Sequence, residues 1–187
     1  MFFNFAPKRE IQYLKEKKQE LIKELVQAKK DITDLTEKMT LLEEKQKRIE
    51  FLLNERIPKR CNFIQRTKKG VEILTSIKYN PGFEIEIFDL ENTQYNQNRS
   101  LWMVASLKPQ NTVFINNIEG GKGLGHGQVA MDHLIEFAIK NECTKIMGEL
   151  SPADYDHKDR LYAFYSKFDF SIRFGENNKR GYIEKSL

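Results

Sequence analysis

The sequence predicts an α+β protein in which one long N-terminal helix precedes a domain of strands with embedded helices. Three observations predict it. Residues 8 to 57 contain neither glycine nor proline, and apolar side chains recur there every three to four positions. After Pro58 the apolar pattern changes to short runs, several of period two, separated by turn residues. A glycine-rich stretch, Gly120-Gly121-Lys122-Gly123-Leu124-Gly125-His126-Gly127, then joins a strand-like run to a helical pattern.

The first segment reads as a coiled coil. With Ile11 at position a of a heptad, a and d are Ile11, Leu14, Leu21, Leu25, Ala28, Ile32, Leu35, Met39, Leu42, Ile49 and Leu53, and only Lys18, Gln46 and Arg56 break the seam. About 50 residues at 1.5 Å each make a rod of roughly 75 Å, which needs a partner helix. In a parallel dimer Glu24 meets Lys29, Lys38 meets Glu43 and Lys45 meets Glu50, all of opposite sign. A parallel homodimer through residues 8–57 is therefore expected. A hairpin broken near Asp31-Ile32-Thr33-Asp34, or packing on another protein, are the alternatives.

The remaining elements follow in order. Gly70 to Tyr79 is a candidate strand, turned by Asn80-Pro81-Gly82. Phe83 to Phe88 alternates as a half-buried strand. Ser100 to Leu107 and Thr112 to Ile118 are two more, linked by Lys108-Pro109-Gln110-Asn111, so the four suggest an antiparallel meander. A helix from Gln128 to Asn141 and a strand from Thr144 to Leu150 come next. A short helix from Arg160 to Phe168, preceded by a polar loop around Asp154, Asp156, His157 and Asp159, leads to final strands at Phe170–Phe174 and Gly181–Ile183. The domains expected are 1–60 and 61–187.

Composition narrows the function. The chain has 187 residues and 40% hydrophobic content, enough for a real core. No run approaches the roughly 20 apolar residues of a membrane span, so no membrane partner is expected. Residues 8–60 hold 15 Lys/Arg and 11 Asp/Glu; the rest has 16 of each. The net charge of +4 thus belongs to the helix, and spread along it makes a weak footprint for nucleic acid. Two distant cysteines, Cys61 and Cys143, exclude a disulfide framework or cysteine zinc cluster and suit a cytoplasmic protein.

The glycine-rich turn carries the chemistry. Successive backbone N–H groups and the positive end of a helix bind phosphate, and glycines remove the Cβ atoms that would hold it away. No Gly-Lys-Ser/Thr closes the turn as in a Walker loop. Here the sequence resembles the GNAT superfamily of acetyl-CoA-dependent N-acetyltransferases, whose motif is Arg/Gln-x-x-Gly-x-Gly/Ala between the fourth strand and the following helix. Lys122-Gly123-Leu124-Gly125-His126-Gly127 matches it with Lys in place of Arg/Gln. A second feature, Phe164-Tyr165-Ser166-Lys167-Phe168-Asp169-Phe170, matches Phe-Tyr-x-Lys-x-Gly-Phe with Asp169 in place of Gly. The resemblance covers roughly residues 70 to 187.

It implies a mixed, mainly antiparallel sheet flanked by helices, acetyl-CoA as cosubstrate, an amine-bearing acceptor and no metal. The amides of Gly123, Leu124, Gly125, His126, Gly127 and Gln128 would hold the CoA pyrophosphate, with Lys122 adding a charge. Phe114, Ile115, Asn116, Asn117 and Ile118 would splay from the Lys145–Leu150 strand and bind the pantetheine arm. Tyr165 would protonate the leaving thiolate, with Glu119 or Glu149 as base. The imidazole of His126 is expected to face solvent or phosphate, and His133 to pack. The reaction implied is direct attack of an amine on the thioester. The alternative is a non-catalytic coiled-coil scaffold whose GNAT-like domain only binds CoA.

Overall fold

The computed structural model describes residues 6–79, 82–91, 99–121, 123–151, 156–175 and 180–187. The turn expected at Asn80-Pro81, the cation Lys122 and Asp154 lie outside the described residues. Two compact units divide between Lys47 and Arg48.

The first unit holds most of helix α1, Ala6–Phe51. Its heptad side chains, among them Ile11, Leu14, Leu25, Ile32, Leu35, Met39 and Leu42, are all exposed. Lys17 bonds Glu20 across one turn at 2.6 Å, and Gln27 bonds Asp31 at 2.7 Å. Such local pairs contribute only about 0.2–0.5 kcal/mol each.

The second unit starts in the last turn of α1. Pro58 ends the helix early, because the residue before proline is driven from the α region. Ile57 accordingly sits at φ −130°, and Leu52–Arg56 wind into a π turn closed by the Ile57 N–H on the Leu52 carbonyl at 2.9 Å. Leu52 and Ile57 are fully buried with Leu74, Phe88 and Leu90 in a small core on one face of the sheet. The chain from Arg48 to Arg60, expected to lie with the coiled coil, therefore belongs to the unit that holds the sheet.

Eight strands follow: β1 Cys61–Arg66, β2 Glu72–Lys78, β3 Phe83–Asp89, β4 Leu101–Lys108, β5 Thr112–Gly120, β6 Lys145–Leu150, β7 Ser171–Phe174 and β8 Gly181–Ser186. Helix α2, His126–Lys140, lies between β5 and β6, and α3, Lys158–Tyr165, lies between β6 and β7. The sheet order is β1-β2-β3-β4-β5-β6-β8-β7. Every described pair is antiparallel except β5 with β6. That parallel pair is the one joined through a crossover helix, as parallel strands require. The fold is the mixed, mainly antiparallel sheet with flanking helices that the sequence implied.

Strand alternation fixes the two faces. Phe83, Ile85 and Ile87 of β3, Leu101, Met103 and Ala105 of β4, and Val113 and Ile115 of β5 are buried in the main core with Ala130, Met131, Leu134 and Ala138 of α2. Glu84 and Glu86 of β3 and Trp102 of β4 occupy the alternate positions, on the opposite face. Strand β1 was not expected. It is an edge strand whose side chains are half-exposed, so its sequence, Cys-Asn-Phe-Ile-Gln-Arg, lacks a clean alternation.

Candidate functional site

The loop between β5 and α2 turns on three glycines in the left-handed region, Gly121 at φ 77°, Gly123 at 73° and Gly125 at 91°. Side chains rarely adopt that region, so these positions demand glycine. The Gly123 N–H donates to the Gly121 carbonyl at 2.6 Å, and the Gln128 and Val129 N–H groups share the Gly125 carbonyl at 3.1 and 3.2 Å. The N–H groups of Leu124, Gly125, His126 and Gly127 donate to no backbone carbonyl of a described residue. Of the six amides expected to bind phosphate, those of Gly123 and Gln128 are thus engaged inside the loop, and four stand at the N-terminus of a 15-residue helix. That is an anion-binding arrangement.

Two of the glycines also serve packing. A Cβ on Gly127 would lie 3.0 Å from the Phe164 ring, and one on Gly125 would lie 3.0 Å from the Thr67 side chain. The first contact joins the two motifs that the sequence showed separately. The second brings the β1–β2 turn against the loop.

The strand leading into the loop parts from its neighbour. Parallel pairing of β5 with β6 runs only from Thr112 with Lys145 to Ile115 with Gly148. The ladder with β4 then skips a residue: Ala105 pairs with Ile115 and Val104 with Asn117, leaving Asn116 as a bulge. A bulge bends its strand and increases local twist. Beyond it, among the described residues, β5 pairs with β4 alone, while Glu149 and Leu150 of β6 pair with β8. The β5 edge from Asn116 to Ile118 is open toward β6. Phe114 and Ile115, expected in the gap, are still within the ladder.

Tyr165 ends α3 and is buried, 6% exposed, between Phe164 and Phe170 with ring centroids 5.1 and 5.6 Å away. Its carbonyl accepts the Phe170 N–H at 3.2 Å across a turn in which Asp169 takes the left-handed conformation at φ 60°. Asp tolerates that conformation better than most residues, so it replaces the motif's glycine without changing the turn.

Glu119, on the last stretch of β5, is 58% exposed. It accepts from the Asn117 side-chain amide at 2.8 Å and lies 3.5 Å from the Arg99 guanidinium. The residues that surround it belong to neither sequence motif. Arg99 stacks 4.1 Å over the Trp102 ring and reaches Glu86 at 3.3 Å, while the Trp102 indole N–H donates to Glu84 at 3.1 Å. Arg60 bridges Glu84 and Glu86 at 3.3 and 3.2 Å. Only the period-two pattern of β3 and β4, which puts these acids and Trp102 on one face, could have signalled the network. Glu149, the other candidate base, is exposed on β6.

His126 overturns its expectation. The side chain is 2% exposed, and neither ring nitrogen has a hydrogen-bond partner among the described residues. Burial pushes its pKa below the usual 6.5, opposed by the nearby Asp89 carboxylate. The imidazole faces neither solvent nor phosphate; what His126 offers the loop is its backbone N–H. His133 packs as expected, edge-on to Phe63 at 5.2 Å and 3.3 Å from the Gln65 amide. Among the described residues no cluster of three or more His, Cys, Asp or Glu could hold a metal, and no helix is long and apolar enough to cross a membrane.

No family model matches the chain. It is similar to the uncharacterized protein YocC of Bacillus subtilis, 29% identical over 112 residues, which are 60% of this chain and 67% of that protein. Solved structures similar to it include a putative streptothricin acetyltransferase from Bacillus anthracis in complex with acetyl coenzyme A. That likeness has 14% identity and a TM-score of 0.45, covering 72% of this chain and 91% of the other. An acetyltransferase of the GNAT family from Streptococcus pneumoniae is 14% identical at a TM-score of 0.43, over 56% of this chain and 66% of that one. Nourseothricin acetyltransferase is 12% identical at 0.43, over 68% and 84%.

Proposed function

We propose that this chain is an acetyl-CoA-dependent N-acetyltransferase that passes the acetyl group directly to an amine. The observation that carries the reading is the continuity of two features on β5. A bulge at Asn116 opens the strand's edge, and the same strand then runs into four N–H groups at a helix N-terminus. An acyl-CoA is a phosphate anion joined to a peptide-like arm that ends in a thioester. The loop amides suit the pyrophosphate, and the open edge from Asn116 to Ile118 suits the amides of the pantetheine arm.

The thioester would then lie near the bulge, where a backbone N–H polarises its carbonyl. The amine attacks the carbonyl carbon, the C–S bond breaks, and the thiolate takes a proton from Tyr165. Glu119, directly or through water, accepts the proton that the amine loses. Lys122 adds a charge to the phosphate loop.

The coiled-coil seam of α1 is exposed from Ile11 to Leu42, while its last positions, Ile49 and Leu53, pack on the small core of the sheet domain; the opposite-signed pairs of its flanks favour a second copy in parallel. We assign dimerisation to it, with docking on another protein as the competing use.

The test is thiol release from acetyl-CoA in the presence of a panel of amines. Amine-dependent release that falls in Tyr165→Phe supports the reading. CoA binding without release from any amine leaves the non-catalytic scaffold instead.

A further inference from the structure

The turn between β1 and β2 packs on the phosphate loop, although nothing in the glycine motif calls for it. Its residues are Thr67, Lys68, Lys69 and Gly70, closed by the Gly70 N–H on the Thr67 carbonyl at 2.9 Å and by the Thr67 N–H on the Val71 carbonyl at 2.9 Å. Thr67 is 4% exposed, and its hydroxyl has no hydrogen-bond partner among the described residues. That hydroxyl would lie 3.3 Å from a Cβ on Gly125, so it sits beside the left-handed glycine that opens α2. A buried hydroxyl without a partner is costly, because it has given up water and gained nothing in exchange. Its position at the loop suggests what it is kept for.

Lys68 and Lys69 follow directly and are exposed. Lys68 is close enough to Asp132, on the second turn of α2, to counter the upward push that burial gives the Asp132 carboxyl. Arg66, the preceding cation, is engaged by the Gly70 carbonyl at 3.3 Å and Glu72 at 3.5 Å.

We propose that the β1–β2 turn is a second phosphate-binding arm, in which the Thr67 hydroxyl and the Lys68 and Lys69 ammonium groups bind phosphate groups of CoA alongside the loop amides. The inference rests on the acyl-CoA reading above and adds to it a source of positive charge. The loop's four amides carry only the partial charge of a helix end, whereas CoA brings a pyrophosphate and a ribose phosphate. Two lysines on a hairpin anchored to the loop supply what amides cannot. The arm lies outside the two sequence motifs, on the strand that the sequence did not reveal.

The experiment is calorimetric titration of the full-length chain and of its Lys68→Ala/Lys69→Ala and Thr67→Val variants with CoA, dephospho-CoA and pantetheine. Two partly exposed ion pairs are worth roughly tenfold in affinity together. A loss of that size on CoA alone assigns the lysines to the ribose phosphate, and an equal loss on CoA and dephospho-CoA assigns them to the pyrophosphate. Either result supports the arm, provided pantetheine binding is unchanged. Thr67→Val, which keeps the side-chain volume, should weaken the same ligands. Wild-type affinity for CoA in both variants overturns the arm while leaving the acyl-CoA site standing. A wild-type chain that binds none of the three refutes the acyl-CoA reading itself.

Discussion

Tyr165 and His126 show how far burial decides what a side chain can do. Tyr165 sits in an aromatic cluster at the end of α3, joined to the glycine loop through the Phe164–Gly127 contact. Tyr165→Phe keeps the ring and removes only the hydroxyl. It should lower turnover by about a hundredfold, the lower range for loss of a general acid, and leave CoA affinity unchanged in calorimetry. Full activity would remove Tyr165 as the acid. His126 makes a pH prediction. Burial holds its folded pKa below the usual 6.5. As pH falls through that value, the unfolded chain takes up a proton that the folded chain resists. This contribution is therefore intact above about pH 6.5 and is lost below it. Urea midpoints should drop from pH 7.5 to pH 5.5, and His126→Asn should show a shallower drop. Equal slopes in the two proteins would mean that His126 is not the group responsible.

Pro58 decides where the helix gives way to the sheet domain. Because the π turn puts Leu52 and Ile57 into the small core with Leu74 and Phe88, the two possible truncations differ. Removing residues 1–47 should leave a cooperative thermal transition. Removing 1–57 deletes two fully buried side chains and should broaden or abolish it. In the intact chain Leu52→Ala should cost about 2–5 kcal/mol, as for other buried leucines; an effect under about 0.5 kcal/mol, the range of surface changes, would contradict the packing. The same elements show what the sequence made legible. Strands β2 to β6 and both helices carry strong periodicity and were readable to within a few residues. Strand β1 was not, because an edge strand exposed on part of both faces needs no alternation. The glycine loop could be read because positive φ restricts residue choice. The bulge at Asn116 was not readable, since Asn-Asn has no signature of its own in a strand. The burial of His126 was hidden for a different reason: the glycine motif specifies its backbone and not its side chain, and the carboxylate that acts on its imidazole, Asp89 of β3, is distant in sequence.

One unit presents an apolar seam, and the other an open strand edge that ends in four amides donating to no carbonyl of a described residue. The seam predicts a dimer in sedimentation equilibrium at micromolar concentration, and Leu25→Lys with Leu35→Lys should return it to a monomer. A dimer that survives both substitutions would move the interface to the sheet domain. Calorimetric titration of the full-length chain with acetyl-CoA and with CoA tests the acyl-CoA site itself. Both should bind saturably, and neither should bind Gly125→Val, where a left-handed backbone and the Thr67 side chain leave no room for the substituent. A folded chain that binds neither ligand would contradict that site.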